Sequence, residues 1–356
     1  MKYPALLKAD NVLAQLEQYD SIIDVRSESE FALDHIPGAI NCPVLNNAQR
    51  IEIGTLYKQT STFDAKKIGA AMVARNISSH LEQIFRDKPR DWKPLIYCWR
   101  GGNRSGAMAH ILAKIGWSAV QLDGGYKEYR REMTSLLNQQ AESLVFRVVC
   151  GTTGSGKSRL LETLASAGAQ VLDLERLAAH RGSVLGSLPT APQPSQKMFE
   201  SHIWQTLRPF TADRVVFVES ESKKVGNLRV PEKLMDKIRA STCVSLNTKT
   251  SLRVDLLMED YEHFVRDPNL LSEQLQHLVN LHGHEKIKRW QAMATDGEMQ
   301  ALVYELLVQH YDPAYLRSIE RNFPQLASGL VIVLTDISEQ SFKEAATMLI
   351  KHEAVV

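Results

Sequence analysis

A cysteine at the start of a turn rich in glycine and arginine is the strongest chemical signal in this sequence. Cys98 follows a short apolar run, 93–97, and precedes a segment with helical periodicity, 105–112, so we expect it at a strand–helix junction. Backbone N–H groups, the positive end of the helix and two arginines would favour a thiolate there and make room for an anion. We therefore predict a catalytic thiolate at Cys98 in an anion site formed by Arg100, Gly101, Gly102, Asn103 and Arg104. The alternative, a buried structural cysteine, leaves these glycines and arginines unexplained.

A second phosphate-binding signal lies further along the chain, in residues 151–158. The sequence Gly-Thr-Thr-Gly-Ser-Gly-Lys-Ser fits the P-loop pattern G-x-x-x-x-G-K-S, with a strand pattern before it (144–150) and a helical pattern after it (159–167). The glycines let N–H groups point at phosphate oxygens, Lys157 adds positive charge, and Ser158 would hold Mg²⁺ if the ion is used. We predict that the whole loop binds a di- or triphosphate, through Gly151, Thr152, Thr153, Gly154, Ser155, Gly156, Lys157 and Ser158. The motif does not say which phosphate compound is bound.

Two later strand patterns end in carboxylic acids. The apolar runs at 170–174 and 214–219 predict strands that carry Asp173 and Glu219. P-loop proteins usually place acidic residues on such strands, so we predict Asp173 and Glu219 as the acidic partners of the P-loop.

The segment that follows Glu219 is polar and basic. It contains Lys223, Lys224 and Arg229, and it begins at the carboxyl end of a predicted strand, the edge where ligands bind in open α/β sheets. These cations are candidates for binding a polyanion, although charge clusters also occur on solvated loops. The histidines between 263 and 310 repeat no metal-binding spacing, and we predict no metal site from them.

The composition is typical of a globular protein. The chain has 356 residues, of which 44% are hydrophobic and 23% charged, and a net charge of +1 that neither requires nor excludes a nucleic-acid partner. The length suggests two or three domains. No apolar run reaches membrane-spanning length and the first residues are unlike a signal peptide, while the four cysteines lack paired spacing. We therefore predict a cytoplasmic protein from a reducing compartment.

Strand and helix patterns alternate along most of the chain, which predicts α/β folds with parallel sheets. The second fold is interrupted by a long helical stretch. A proline-rich segment, 188–194, is predicted to be an exposed loop. The predicted domains are 1–137, then a polar join at 138–143, then 144–356 with a P-loop core (144–248 and 328–356) and a helical subdomain (about 250–325).

Motifs in the first part of the chain resemble those of the rhodanese family. Residues 24–26 (Asp-Val-Arg), 35–41 (His-Ile-Pro-Gly-Ala-Ile-Asn), the Cys98 loop and 124–126 (Gly-Gly-Tyr) follow that family's order and cover about residues 5–135. The resemblance implies a rhodanese-like domain whose cysteine carries sulfur or another chalcogen. The spacing from Cys98 to Arg104 is C-x5-R, which is also the spacing of cysteine phosphatases, whose loop wraps a phosphate. This spacing favours a larger oxyanion or a phosphate-bearing donor over thiosulfate.

With the P-loop in the same chain, the sequence is similar to the bacterial tRNA 2-selenouridine synthase family. The resemblance covers nearly the whole chain and includes the motifs at 173–175, 180–183, 193–196 and 219–222. It implies an enzyme that exchanges sulfur for selenium on the wobble 2-thiouridine of tRNAs for Lys, Glu and Gln. It also implies selenophosphate as selenium donor, geranyl diphosphate as co-substrate, S-geranylated uridine as intermediate, and selenophosphate synthetase as the partner that supplies the donor.

This resemblance suggests a role for each loop. Activation of geranyl diphosphate releases pyrophosphate, so we hypothesise that the P-loop binds this prenyl diphosphate rather than ATP, with Mg²⁺ if the ion is required. Cys98 would attack selenium of selenophosphate while Arg100 and Arg104 hold the phosphate. The three cations of 223–229 would hold tRNA, and their phosphate contacts would make binding depend on salt.

Two other enzymatic interpretations remain open. In a cysteine phosphatase fused to a kinase, Cys98 would hydrolyse phosphoesters, and Asp123 is the candidate general acid near it in sequence. In an ATP-dependent tRNA sulfurtransferase, ATP would activate the base and Cys98 would deliver sulfur. A non-catalytic binding module is disfavoured, because Cys98, Lys157 and Ser158 are all intact.

Overall fold

The computed structural model describes residues 3–183, 185–186 and 191–353. By their contacts these residues form two compact units. The first comprises the described residues up to Leu137 together with Pro194–Gln205, and the second comprises those of Asn138–Gln193 and from Thr206 onward. The structure differs from the predicted boundaries at two places. The predicted join at 138–143 is the last part of a helix, and residues 194–205, predicted to belong to the second domain, pack with the first unit.

The first unit is a five-stranded, wholly parallel sheet in the order β1-β5-β4-β2-β3, flanked by helices. Parallel sheets are normally covered on both faces, which accounts for the buried apolar residues of the central strands. Its elements are β1 (Ala5–Leu7), α1 (Ala9–Ala14), β2 (Ser21–Asp24), α2 (Glu28–Leu33), β3 (Ala39–Asn41), α3 (Asn47–Gln59), α4 (Thr62–Gln83), β4 (Pro94–Tyr97), α5 (Asn103–Ile115), β5 (Val120–Leu122) and α6 (Gly125–Ser143).

The core of the first unit lies between the central strands and two helices. Ile23 of β2 pairs in register with Ile96 of β4, and both are fully buried together with Met108 and Leu112 of α5. Helix α4 is capped by Ser61, which accepts a hydrogen bond from the backbone N–H of Asp64 (3.2 Å).

The second unit is built on another five-stranded parallel sheet, in the order β12-β11-β6-β8-β7. A small antiparallel hairpin, β9–β10, lies outside that sheet. Its first elements in chain order are β6 (Phe146–Cys150), α7 (Lys157–Ser166), β7 (Gln170–Leu172) and α8 (Leu174–Leu177). After these, helix α9 (Gln196–Leu207) lies mostly within the first unit, and the second unit resumes with β8 (Val216–Glu219), β9 (Lys224–Val225), β10 (Leu228–Arg229), α10 (Glu232–Ala240) and β11 (Thr242–Thr248).

The predicted helical stretch is observed between β11 and the last strand. It comprises α11 (Thr250–Asp260), α12 (Glu262–Arg266), α13 (Pro268–Leu275), α14 (Val279–His282), α15 (His284–Thr295), α16 (Met299–Leu306), a π-helical turn (Leu307–Tyr311) and α17 (Asp312–Asn322). The chain then returns to the sheet through β12 (Leu330–Leu334), which pairs with β11. The last described element is α18 (Glu339–Glu353).

The helices of the second unit enclose a core of their own. Trp290, Leu302 and Leu275 are fully buried in one cluster with Phe264 and Met299. In the part of the chain that the structure describes, no helix combines the length and apolarity needed to cross a membrane. Of the loop predicted at 188–194, residues 188–190 lie outside the described residues.

Candidate functional site

Cys98 lies directly after β4 and before α5, at the strand–helix junction expected from the sequence. Its side chain is buried, with 3% of its surface exposed. The hydroxyl oxygen of Ser105, in the first turn of α5, lies 3.2 Å from Cys98 Sγ and 3.2 Å from the carbonyl oxygen of Gly102. The Gln121 amide donates to that same hydroxyl (3.0 Å), which orients it. No role for Ser105 or Gln121 was predicted from the sequence.

Two glycines let the cysteine loop pack directly against the backbone after β5. Gly101 and Gly125 have φ of +63° and +57°, and a Cβ on either would lie within 2.5 Å of a backbone oxygen. The backbone N–H of Tyr126 donates to the Cys98 carbonyl (2.8 Å). The Gly-Gly-Tyr motif at 124–126 therefore has a structural role, which is to support the loop.

The two arginines predicted to bind an anion differ in their surroundings. Arg104 Nη1 lies 2.9 Å from Glu30 Oε2, and Glu30 also pairs with Arg50 (3.1 Å). Burial raises the pKa of Glu30, but hydrogen bonding and the charge of Arg104 outweigh it and lower that pKa overall. Arg100 is exposed. The charge of Arg104 is thus shared with a carboxylate, whereas Arg100 and the N–H groups at the start of α5 remain the more direct candidates for binding an anion.

The Asp-Val-Arg motif forms a buried support beneath this loop. Arg26 is 1% exposed, and its Nη2 lies 2.5 Å from Asp24 Oδ2 and 2.6 Å from the Asp34 carbonyl oxygen. Its guanidinium lies 4.0 Å from the centre of the Tyr126 ring, and Tyr126 Oη donates to Asp34 Oδ2 (2.7 Å). These contacts fix the tyrosine whose N–H holds Cys98.

The same network explains why α9 belongs to the first unit. Ser201 is fully buried, donates to Asp34 Oδ1 (2.9 Å) and accepts from Tyr129 Oη (3.0 Å). Trp204 packs edge-on against Tyr129 with ring centres 6.1 Å apart.

Residues 151–156 of the predicted P-loop connect β6 to α7, and Lys157 and Ser158 are the first two residues of α7. Gly154 and Gly156 have φ of +76° and +91°, conformations that favour glycine. Lys157 Nζ donates to the carbonyl oxygen of Gly151 (2.7 Å), so its ammonium lies over the loop backbone. The predicted strand–loop–helix arrangement is thus present.

Three side chains from distant parts of the chain hold the P-loop in place. The N–H of Gly151 donates to Tyr315 Oη (2.7 Å). Thr248 Oγ1 donates to the carbonyl oxygen of Ser155 (2.8 Å), and Arg253 Nε donates to that of Thr153 (2.9 Å). Arg253 is itself fixed by Asp312, at 2.6 Å and 3.0 Å. None of these partners is marked by a local sequence pattern.

The acidic residues at the ends of β7 and β8 form a connected cluster. Asp173 caps α8 by accepting from the backbone N–H of Arg176 (2.8 Å), and Glu219 Oε1 accepts from the N–H of Glu175 (2.8 Å). The carboxylate nearest the P-loop serine is Glu175, whose Oε2 accepts from Ser158 Oγ (3.3 Å). Asp173 and Glu219 therefore bind backbone N–H groups of α8, and it is Glu175 that contacts the P-loop serine. No role for Glu175 was predicted from the sequence.

Burial raises the pKa of carboxyls in this region, including those of Glu219 and Glu221. Burial, and then the charges of Asp173, Glu175 and Glu221, raise the pKa of Glu219 well above its usual value. Burial and then Glu175 raise the pKa of Glu221 in the same way. Glu219 Oε2 is buried without a hydrogen-bond partner among the described residues. Within those residues, no group of three or more His, Cys, Asp or Glu is arranged to hold a metal.

The predicted polyanion-binding cations lie on the β9–β10 hairpin. Lys224 and Arg229 face each other across the two strands, so their exposed side chains share one face, while Val225 and Leu228 are buried on the other. Lys223 is exposed and its Nζ lies 3.2 Å from Glu232 Oε1. The hairpin turn is held by Gln193, which donates to the Val225 carbonyl (3.0 Å) and accepts from the N–H of Asn227 (2.8 Å).

The structure thus defines a protein with two parts, a rhodanese-like unit that carries a cysteine loop and an α/β unit that carries a P-loop. Residues 8–132 match the family model of the rhodanese-like domain, and residues 144–270 match that of the tRNA 2-selenouridine synthase AAA domain. The chain belongs to the tRNA 2-selenouridine synthase family.

Relatives in this family cover different shares of the chain. A tRNA 2-selenouridine synthase of Nitrosomonas europaea is 36% identical over 247 residues, which are 67% of this chain and 63% of the relative. The chain thus spans less than two thirds of that relative. The enzyme of the same name from Sulfurovum sp. is 31% identical over 85% of this chain and 89% of its own. A rhodanese-related protein from Thermoplasma volcanium, of known structure, is 22% identical over 36% of this chain and 93% of its own, with a TM-score of 0.25.

Proposed function

We propose that this chain is a tRNA-modifying enzyme that converts wobble 2-thiouridine to 2-selenouridine in tRNAs for Lys, Glu and Gln. The observation that carries the proposal is the presence, in one chain, of a thiol held by a hydroxyl donor at a helix start and an intact P-loop. Membership of the family and the printed names of the relatives support the substrate class. Selenophosphate and geranyl diphosphate are the proposed co-substrates, and selenophosphate synthetase is the proposed supplier of the donor. A protein that acts on tRNA in this way would work in the cytoplasm.

In the first proposed step, the base sulfur is alkylated. The sulfur attacks C1 of geranyl diphosphate, the C1–O bond breaks, pyrophosphate leaves, and the base loses the proton on N3. Loop N–H groups and Lys157 would stabilise the charge that develops on the leaving pyrophosphate. Lys157 Nζ, which donates to the Gly151 carbonyl in the structure, would donate to the diphosphate instead. No nucleotide hydrolysis is needed, because the prenyl diphosphate carries its own leaving group.

The residues beside Lys157 are suited to a magnesium ion. Ser158 and Glu175 offer hard oxygen ligands, and Mg²⁺ is commonly held by one or two such groups together with substrate phosphates. When bound, the ion would add positive charge to the diphosphate. The buried acids Asp173 and Glu219 would keep Glu175 in place.

The selenium step depends on which atom of selenophosphate the Cys98 thiolate attacks. Attack on selenium is the expectation from the family resemblance. It would break the Se–P bond and leave both bonding electrons on phosphorus, which would depart as phosphite. Attack on phosphorus forms an S–P bond, breaks the same Se–P bond and releases selenide, with no change of oxidation state. Water would then hydrolyse the S–P bond to orthophosphate and free Cys98. The C-x5-R spacing and the Ser105 hydroxyl beside the sulfur support attack on phosphorus, because they suit a phosphate-binding loop.

The released selenide would complete the exchange on the base. It adds to C2 of the geranylated uridine, geranyl thiolate leaves, and the selenide proton restores N3–H. Protons and charge therefore balance over the two steps.

The test is mass spectrometry of nucleosides from 2-thiouridine tRNA after incubation without ATP. Each reaction contains geranyl diphosphate, with or without selenophosphate, and wild-type protein, Cys98→Ala or Lys157→Ala. We expect Cys98→Ala to accumulate geranylated base and Lys157→Ala to give no product. If wild-type protein leaves the tRNA unchanged until ATP is added, the sulfurtransferase interpretation replaces this one.

A further inference from the structure

A cavity in the second unit extends from the P-loop into the helical core. It has a volume of about 50 Å³, and Thr153 of the P-loop lines it together with apolar side chains that include Leu257, Phe264, Leu271 and Met299. The proposed chemistry of the P-loop does not use this cavity.

Helix α11 links the cavity to the phosphate site. Near the start of the helix, Arg253 donates to the Thr153 carbonyl (2.9 Å). One turn later, Leu257 touches the P-loop, since a Cβ added to Gly154 would lie 2.9 Å from Leu257 Cδ1. The cavity therefore begins where a bound diphosphate would end.

The two tyrosine hydroxyls of the lining are already hydrogen-bonded within the protein. The Tyr311 hydroxyl is hydrogen-bonded to Ser183 and to the backbone of Leu185, and Tyr261 is hydrogen-bonded to Ser183 and Arg181. A nucleoside base placed here would lose its hydrogen bonds to water and find few in return, which is costly. A hydrocarbon chain has no such cost and gains from leaving water.

We propose that this cavity receives the terminal isoprene unit of the prenyl donor and selects its chain length. The inference rests on the proposed function, which places the diphosphate of that donor in the P-loop. A water molecule needs about 10–15 Å³ of cavity volume, so the cavity has room for about four water-sized groups, close to one branched five-carbon unit. The first isoprene unit would pass Thr153 and Leu257, and the second would fill the cavity. Ten carbons would fit, five would not reach it, and fifteen would exceed it.

The experiment measures the affinity of the full-length protein for inorganic pyrophosphate and for dimethylallyl, geranyl and farnesyl diphosphates by calorimetry, without tRNA. Burying a five-carbon unit should make geranyl diphosphate about 30- to 300-fold tighter than dimethylallyl diphosphate. Leu271→Phe, which fills the cavity, should remove most of that advantage and leave pyrophosphate affinity unchanged. Met299→Ala, which enlarges it, should shift the preference towards farnesyl diphosphate.

A matched control separates cavity effects from general ones. Leu281→Phe makes the same change at a side chain that is 68% exposed on α14, and it should alter no affinity. Unchanged pyrophosphate binding by Leu271→Phe shows that this variant is folded.

Failure of the inference and failure of the proposed function give different results. If pyrophosphate binds through Lys157 but geranyl and dimethylallyl diphosphates bind equally, the cavity does not hold the chain, and the P-loop assignment stands. If Lys157→Ala leaves pyrophosphate and geranyl diphosphate binding unchanged, the P-loop assignment itself fails. ATP binding more tightly than geranyl diphosphate would overturn both.

Discussion

The hydroxyl of Ser105 is placed to stabilise negative charge on Cys98, since the two side-chain atoms lie 3.2 Å apart in a buried site. Hydrogen bonds to charged groups contribute about 1.5–3 kcal/mol, so Ser105→Ala should slow selenium transfer by about 10- to 100-fold. The proposed geranylation should be unaffected, because it would use the P-loop. Single-turnover assays of each step on 2-thiouridine tRNA and on isolated geranylated tRNA would measure the two rates.

Ser105→Thr is the control for that prediction, because it keeps the hydroxyl. Its selenium-transfer rate should stay closer to wild type than that of Ser105→Ala. Equal losses in both variants would mean that Ser105 only fills space.

The atom that Cys98 attacks can be identified from the phosphorus product. Attack on phosphorus ends in orthophosphate, whereas attack on selenium releases phosphite. Phosphorus NMR of the selenation reaction should therefore show orthophosphate, formed in step with 2-selenouridine and absent with Cys98→Ala. A phosphite resonance would show that selenium is the atom attacked. Selenophosphate incubated without protein corrects for spontaneous hydrolysis.

At the scale of elements, the cysteine loop depends on a glycine that cannot carry a side chain. Gly101 has φ of +63°, and a Cβ there would lie 2.5 Å from the Leu122 carbonyl oxygen. Gly101→Ala should therefore destabilise the first unit by about 1–3 kcal/mol and displace the loop. Gly102 is the matched control, since its φ is −96° and nothing lies within 4 Å of an added Cβ. Chemical denaturation of the two variants should show a clear loss of stability only for Gly101→Ala.

The buried carboxyl of Glu219, at the end of β8, should make the second unit less stable as pH rises. The folded-state pKa of Glu219 is raised, so the folded protein binds more protons than the unfolded one, and stability falls as pH rises above the ordinary value of 4.5. Glu219→Gln cannot ionise, so its stability relative to wild type should increase with pH. Denaturation curves at about pH 6 and about pH 8 would test this. Glu285→Gln, an exposed glutamate on α15, should show no such trend; an equal trend there would refute the explanation.

Local patterns were enough to predict the elements that carry both loops. Strand, turn and helix follow one another within about twenty residues around Cys98 and around Lys157. The spacing of apolar residues in these short segments is therefore enough to predict each element. The supporting contacts were not predictable in this way. Tyr315 meets Gly151 across 164 residues of sequence, and Ser201 packs with the first unit although it follows the P-loop in the chain. Such contacts depend on how the elements pack, which periodicity does not encode.

At the scale of the whole molecule, the proposed function requires both units to act on one large polyanion, and the hairpin formed by β9 and β10 is the proposed place where the second unit holds it. Lys224 and Arg229 project from the same exposed face, as two phosphate-binding cations would. Replacing both by alanine should weaken binding of tRNA whether or not the wobble base is thiolated, because phosphate contacts do not read the base.

Salt dependence distinguishes such contacts from an unspecific effect of net charge. The slope of log affinity against log salt concentration should become shallower by about 1 to 2 in the double variant. A second double variant, Lys66→Ala with Lys351→Ala, removes the same charge from exposed positions on α4 and α18 and should change the slope little. Filter binding of one tRNA over a range of salt concentrations gives both slopes. Equal slopes for the two variants would mean that tRNA is held elsewhere, and the hairpin would then be a solvated surface feature.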